Sequence, residues 1–180
     1  LPPPAAPLPP GPRPPPPEWH RKILSRQYDP SIGPVSGKSG ATLGMALTEK
    51  QGGSDVISNA TRAEADGTGW RLTGHKWFCS APMSDGLLTL AQAPDGLTCF
   101  LVPRWLEGKR NDIRIQRLKD KLGNRPNASA EIEYHRTFAY PIGAGGRGVR
   151  TINAITPNTR HDTHMGHPGQ HPPAQDPGAT

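Results

Sequence analysis

Cysteines, aromatic residues and long apolar runs are all scarce in this sequence. Only two cysteines occur in 180 residues, Cys79 and Cys99, and they lack the CxxC spacing of metal sites. We therefore expect neither a disulfide scaffold nor a zinc site, and we predict a reduced, cytoplasmic protein. No apolar run approaches roughly 18 residues, and no charged region followed by an apolar one opens the chain, so we predict neither a membrane span nor a secretory signal.

Hydrophobic residues are also sparse, at 33% of the chain, whereas the chain contains 23 prolines and 21 glycines. The imbalance is concentrated at the ends. Residues 1–17 form a proline-rich tract that favours extended polyproline II, and residues 151–180 are rich in His, Pro and Gly. We expect both segments to be disordered, because neither can bury enough apolar surface to order itself.

Between these ends the sequence predicts a mainly β domain over residues 41–150. A flanking segment, residues 18–40, precedes this domain. Its first part, residues 18–27, predicts a short helix that ends before Tyr28-Asp29-Pro30. Turn signals such as Asp66-Gly67 separate the strands that follow, and several of these strands alternate polar with apolar residues. We expect a small antiparallel β-barrel or sandwich with short flanking helical pieces. The predicted strands are 41–47, 60–65, 70–79, 87–92, 98–102, 113–118 and 130–135.

Residues 44–56, GMALTEKQGGSDV, contain the densest group of potential ligand contacts. An apolar strand leads there into a corner where Gly52 and Gly53 permit close backbone approach, and Thr48, Ser54 and Asp55 offer polar side chains. Such a corner can hold a polar or anionic ligand with N–H and O–H donors. A plain hairpin turn, with Ser and Asp capping their own backbone, explains the composition equally well.

A second cluster, GHKWFCS, occupies residues 74–80. Read from the residues alone, it predicts a half-buried strand whose aromatic side chains fill a core.

The order of residues in the corner resembles the flavin-binding signature of the acyl-CoA dehydrogenase family, T-E-P-x-x-G-S-D after an apolar residue. Here it reads TEKQGGSD, with Lys50 in place of the proline, which resembles the alkylation-response (adaptive-response) branch of that family. The resemblance continues through residues 28–30, 72–85, 99–105, 117–129 and 148–152. It implies the middle β domain of this family, with FAD as the cofactor.

The resemblance also implies particular roles in FAD binding. Phe78 would pack beneath the flavin ring, and Ser80 would provide a hydroxyl near flavin N5. Thr48 would bond the pyrimidine edge, residues 45–47 would present backbone to it, and Ser54 would meet the pyrophosphate. The complete set of implied cofactor-binding residues is Met45, Ala46, Leu47, Thr48, Gly53, Ser54, Phe78 and Ser80.

Family members combine an N-terminal helical domain, this β domain and a C-terminal four-helix bundle, and they are homo-oligomers. The resemblance therefore implies that residues 18–40 are a remnant of the helical region and that residues 151–180 are a truncated or aberrant tail. The family's catalytic glutamate belongs to the bundle, and Glu49 matches a structural position. We accordingly predict no catalytic residue in this chain, and we expect it to be inactive alone. The parent would be an oxidoreductase that acts on the CH–CH group of acyl-CoA-type substrates.

A short basic region offers a different function. Between residues 104 and 125, eight basic residues face three acidic ones. Such a patch can attract phosphates, including DNA, and the alternative function is a DNA-associated alkylation-response module without dehydrogenase activity. The solvated face of strands and a turn is the plainer explanation. The basic residues are Arg104, Lys109, Arg110, Arg114, Arg117, Lys119, Lys121 and Arg125.

Two further patterns resemble binding motifs, but their surroundings in the sequence argue against a site in either case. Residues 143–148 satisfy G-x-G-x-x-G, but no βαβ unit surrounds them, so a dinucleotide-binding fold is not expected. Four histidines follow at residues 161, 164, 167 and 171 with spacing that could suit a metal on a helix. Neighbouring prolines and glycines disfavour that helix, so we predict no metal site.

Overall fold

The structure is a computed structural model that describes residues 12–51 and 55–154. Within these residues, two short α-helices flank nine β-strands, and two single 3-10 turns precede and follow the first strand. The elements are α1 (Pro17–Ile23), β1 (Leu43–Ala46), β2 (Arg62–Asp66), β3 (Gly69–Ser80), β4 (Gly86–Ala93), β5 (Gly96–Pro103), β6 (Trp105–Leu106), β7 (Lys109–Arg110), β8 (Ile113–Leu118), β9 (Ser129–Ile142) and α2 (148–154).

The strands form one seven-stranded sheet in the order β1-β3-β2-β4-β5-β9-β8. Additional pairings of β1 with β4 and of β3 with β9 complete a closed circuit of hydrogen-bonded strands, β1-β4-β5-β9-β3. The predicted mainly β fold is confirmed, and each of the seven predicted strands is present. Most pairs are antiparallel as expected, but β1 and β2 both run parallel to β4.

A small hairpin of β6 and β7 was not predicted. Its two-residue strands are too short to show any periodicity, and Gly108 makes its turn with a φ of 77°. This hairpin carries two of the basic residues, Lys109 and Arg110, away from the main sheet.

Two hydrophobic cores lie on opposite faces of β4 and β5. One core contains Leu87, Phe100 and Ile132, and the other contains Leu88 and Leu101. Successive leucines of β4 therefore point into different cores, because side chains alternate between the two faces of a strand. This explains why β4 reads as a continuous apolar run rather than as an alternating one.

Both helices belong to the second core. Helix α1 begins with a proline in its first turn, and it buries Trp19 to 4% exposure. Ile152 of α2 is buried in the same core, so residues 151–154 are helical and packed, whereas disorder was predicted from residue 151 onward. The first helix ends at Ile23, four residues before the predicted end, and the chain then runs irregularly to β1.

Several predictions fall on parts of the chain that the structure does not describe. These are most of the proline-rich segment, the tail beyond residue 154, and Gly52, Gly53 and Ser54 of the polar corner. Among the described residues, no helix is long and apolar enough to cross a bilayer.

Candidate functional site

The two sequence clusters lie side by side in the sheet. Strand β1 pairs with the end of β3, so that Met45 faces Ser80 and Ala46 faces Cys79. Just beyond β1, the Trp77 amide donates a 2.8 Å hydrogen bond to the Thr48 carbonyl. The structure thus brings together six of the eight predicted cofactor-binding residues, and the other two, Gly53 and Ser54, lie outside the described residues.

The backbone of residues 46–48 is held firmly from the protein side. The Thr89 hydroxyl donates to the Ala46 carbonyl at 2.6 Å, and the Asn59 amide donates to the Leu47 carbonyl at 3.0 Å. Together with the bond from Trp77 to Thr48, three consecutive carbonyls are occupied. The backbone at these residues is therefore fixed by partners from β3, from β4 and from the segment that precedes β2.

Gly44 permits the close contact between the two strands. A Cβ atom at this position would lie 2.5 Å from the Ser80 carbonyl oxygen and 2.8 Å from a methyl group of Leu87. Real Cβ atoms do not tolerate such distances, so only glycine lets β1 lie this close to β3 and β4. Sequence reasoning placed Gly44 in the motif but did not assign it this role.

The surface formed by these strands has the chemistry that a flavin needs. Phe78 is 44% exposed, which is unusual for a phenylalanine in a central strand and presents an apolar ring to solvent. The Thr48 and Ser80 hydroxyls have no hydrogen-bond partner among the described residues, although Thr48 is half-buried. An open aromatic face beside two uncommitted hydroxyls fits a flat heteroaromatic ring with polar edges.

Below this surface, Glu49 and Lys76 form a buried ion pair. Their oxygen and nitrogen are 2.7 Å apart, and the side chains are 3% and 0% exposed. Lys76 also donates to the Leu90 carbonyl at 2.8 Å, which ties the pair to β4. Because Glu49 follows Thr48 directly and Lys76 precedes Trp77, the pair links the polar corner to the aromatic strand.

Besides Lys76, Glu49 accepts hydrogen bonds from three residues, and these bonds fix the polar corner to the start of β2. Thr61 donates through its hydroxyl at 2.6 Å and its amide at 3.1 Å, while Ala60 donates at 2.6 Å and Gln51 at 2.9 Å. Burial raises the pKa of Glu49, but the hydrogen bonds from Gln51, Lys76 and Thr61 outweigh it and lower the pKa to about 2. A carboxylate that is fully occupied and so acidic holds structure and is not available to accept a proton.

The third set of side chains at this site is a group of cations around Trp77. The Lys119 ammonium lies 3.3 Å from the centroid of the Trp77 ring and 4.7 Å from that of Phe78. The side chains of Arg117 and Lys50 lie 5.4 Å and 5.8 Å from the Trp77 ring. The sequence showed Arg117 and Lys119 only as members of a basic region, and Lys50 only as part of the polar corner, because nothing in their spacing reveals that all three lie at Trp77.

The basic region itself is divided by the fold. Arg117 and Lys119 lie at Trp77, and Lys119 also lines a hollow of about 260 Å³ together with Lys121 and Arg125. A third part lines a groove of about 1090 Å³ between the β6–β7 hairpin, β3 and β9. The basic side chains of this groove are Arg71, Lys109, Arg110, Arg114, His135 and Arg136.

The glycine-rich residues 143–148 connect β9 to α2. A Cβ atom on Gly148 would lie 2.8 Å from the Leu97 carbonyl oxygen, so this glycine allows α2 to begin against β5. The segment follows an antiparallel strand and is not part of a βαβ unit, in agreement with the sequence. The four histidines of the tail lie outside the described residues.

Comparison with known proteins identifies this arrangement. Residues 44–137 match the model of the acyl-CoA dehydrogenase middle domain. AidB of Escherichia coli (strain K12), which is named as an acyl-CoA dehydrogenase, is 51% identical over 152 residues, or 83% of this chain and 28% of AidB. The structure of Caenorhabditis elegans ACDH-11 in complex with C11-CoA superposes with a TM-score of 0.62 at 39% identity, covering 68% of this chain and 23% of that one.

A solved FAD-dependent dehydrogenase is similar as well, with a TM-score of 0.56 and 26% identity over 63% of this chain and 32% of that one. The chain belongs to the acyl-CoA dehydrogenase family and contains its middle domain. Within the family it belongs to the branch of AidB. The family implies FAD as the cofactor, and the chain spans about a quarter of the length of the relatives described above.

Proposed function

We propose that this chain is the FAD-binding middle domain of an oxidoreductase that acts on the CH–CH group of acyl-CoA-type substrates. The observation that carries the proposal is the adjacency of the polar corner and the aromatic strand, with Met45 directly opposite Ser80. Two motifs that are about thirty residues apart in sequence make one surface, and each contributes the groups that the family motif requires.

Each residue of this surface has a distinct role. Phe78 is the apolar platform for the ring, because it is a partly exposed aromatic side chain beside uncommitted donors. Thr48 and Ser80 donate hydrogen bonds to polar edges of the ring. The backbone of Met45, Ala46 and Leu47 approaches the ring, while Gly53 and Ser54 contact the phosphates. FAD, once bound, supplies the acceptor for a hydride from the substrate.

The chain alone does not complete a dehydrogenase. Removal of the substrate proton needs a base within reach of the substrate, and Glu49, the acid of the motif, is buried and fully hydrogen-bonded. We therefore assign no catalytic residue, and we propose that residues 41–150 are the FAD unit. Residues 18–40 correspond to part of the family's helical region. The complete protein is a cytoplasmic homo-oligomer.

Titration of the full 180-residue chain with FAD, followed by flavin fluorescence, tests this proposal. Phe78→Ala should weaken binding by about fivefold or more, since an aromatic contact of this type contributes roughly 1 kcal/mol beyond its buried area. Leu24→Ala is the matched control, because Leu24 is an exposed apolar residue at the end of α1 and far from the site in sequence. A wild-type chain without FAD affinity, or equal losses in the two variants, would refute the assignment.

A second candidate function, binding of DNA, has one structural observation in its favour. In the groove beside the β6–β7 hairpin, Arg71 and Arg136 are paired with carboxylates, but Lys109 and Arg110 have no ion pair among the described residues. Both side chains are exposed and remain available for phosphates. Such contacts would be sequence-independent and sensitive to salt.

This second function is tested by fluorescence anisotropy with a labelled DNA duplex over a range of salt concentrations. Replacing Lys109 and Arg110 by Gln should reduce the log–log salt slope by about two, or about one per phosphate contact. The control replaces Arg21 and Arg26, which are separate from the groove, in the same way and should leave the slope unchanged. Absence of binding at low salt would exclude DNA as a ligand of this chain.

A further inference from the structure

Lys119 occupies an unusual position at the edge of the proposed FAD site. Its side chain is only 10% exposed, and its ammonium lies against the rings of both Trp77 and Phe78, at 3.3 Å and 4.7 Å from their centroids. An ammonium so withdrawn from water is attracted by the negative faces of aromatic rings. Those two rings belong to the strand that supplies Phe78 to the FAD surface.

Glu131 fixes this ammonium in place. One of its oxygens accepts a 2.5 Å hydrogen bond from Lys119 and a 2.6 Å hydrogen bond from Arg117. Burial raises the pKa of Glu131, but the hydrogen bonds from Lys119 and Arg117 outweigh it and leave the pKa lowered. Two cations therefore share one carboxylate, and the group retains a net positive charge beside the rings.

The pairing of strands shows from which side this charge approaches. Ser80 faces Met45 on one side and Ser129 on the other, and the Lys119 amide donates to the Ser129 carbonyl at 2.8 Å. Across the sheet, Thr48 and Lys119 thus flank β3 on opposite sides. The positive charge lies on the β8–β9 side of the Phe78 platform, and the hydroxyl of the polar corner lies on the β1 side.

We propose that Lys119 is an electrostatic positioning residue that favours the reduced, negatively charged form of FAD over the oxidised, neutral form. The inference rests on the proposed function, because it requires the flavin ring to lie at Phe78. A fixed positive charge lowers the free energy of an anion more than that of a neutral ring, particularly where water is partly excluded. Lys119 exerts this effect through its charge, from its position against the Phe78 ring, and it takes no part in the transfer of atoms.

Anaerobic titration of the full chain with oxidised FAD and with dithionite-reduced FAD tests this role, and quenching of tryptophan fluorescence reports binding. Lys119→Met should weaken binding of reduced FAD roughly tenfold and binding of oxidised FAD less than twofold. Glu131 keeps Arg117 as a partner in this variant, so no buried carboxylate is left unpaired. Lys119→Arg should restore the preference, and Lys121→Met is the control, since Lys121 bonds Asn127 and Ser129 instead of the rings.

The outcomes separate this inference from the function on which it rests. A wild-type chain that binds neither form of FAD would overturn both. If the wild-type chain binds FAD but Lys119→Met weakens both forms equally, or neither, the proposed function stands and the role of Lys119 is refuted. A loss in the Lys119→Arg variant equal to that in Lys119→Met would also refute it, because it would show a requirement for shape instead of charge.

Discussion

The buried pair of Glu49 and Lys76 allows a sharp test of how the site is held together. In Lys76→Met, the methionine fills most of the lysine volume but removes the ammonium, and the Glu49 carboxylate stays buried without its counter-ion. The same change frees the Leu90 carbonyl, which accepts a 2.8 Å hydrogen bond from Lys76 in the wild type. Removal of one partner of such a pair destabilises a protein by roughly 3–5 kcal/mol.

The lowered pKa of Glu49 gives a second measure of how much the surroundings of this carboxylate stabilise the folded chain. Its pKa falls from 4.5 to about 2 in the folded chain, and each unit corresponds to about 1.4 kcal/mol, so the folded environment contributes about 3 kcal/mol through this carboxylate. Because the folded pKa lies below the unfolded one, this stabilisation is complete above about pH 4.5. It is lost as the pH falls from there towards 2. This figure includes the hydrogen bonds from Gln51 and Thr61 as well as the interaction with Lys76, and it is offset in part by burial of Lys76, which lowers the pKa of that ammonium.

The assay is urea denaturation of the full chain at pH 7, followed by far-ultraviolet circular dichroism. With a slope of about 2 kcal/mol per M, Lys76→Met should lower the midpoint by roughly 2 M. Lys109→Met is the matched control, since Lys109 is exposed on the β6–β7 hairpin, and its midpoint should remain unchanged.

The double variant Glu49→Gln/Lys76→Met should be less destabilised than the sum of the two single variants, because it removes both charges together. A Lys76→Met midpoint equal to that of the control would refute the view that the ion pair joins the corner to the strand. Strict additivity in the double variant would refute direct coupling between the two side chains.

Two other predictions concern packing around the same strands. Gly44→Ala should destabilise the chain by about 2 kcal/mol or more in the same urea assay, because its Cβ would lie 2.5 Å from the Ser80 carbonyl oxygen. Gly33→Ala should have little effect, since its Cβ would meet nothing within 4 Å, and equal losses would contradict this explanation. Cys79 and Cys99 are both fully buried, and burial raises the pKa of each to about 12. Neither thiol should react with a disulfide reagent at pH 8 until urea unfolds the chain, and rapid labelling of the native chain would contradict this placement.

Much of the fold could be predicted from the sequence, because its signals are local. Turn residues, together with alternation in several of the runs, located all seven longer strands. The β6–β7 hairpin was missed, since strands of two residues have no period. The parallel pairing of β1 with β4 was also missed, because strand direction depends on how the whole circuit closes and not on any one segment.

The candidate site likewise has features that the sequence predicted and features that it did not. The motif TEKQGGSD and the aromatic strand identify the family and name the surface residues, because a family motif preserves the order of the groups that contact a ligand. The sequence by itself therefore determined the class of protein and the residue types of its proposed FAD site.

Only the tertiary structure decided how these residues are combined. It joined Glu49 to Lys76 across 27 positions, and it brought Lys119 to the rings of Trp77 and Phe78. It also distributed the cations of one basic region over three surfaces, two of which share Lys119. The physical reason is that charges and rings interact through distance and burial, which arise from strand register and closure of the sheet and leave no periodic trace along the chain.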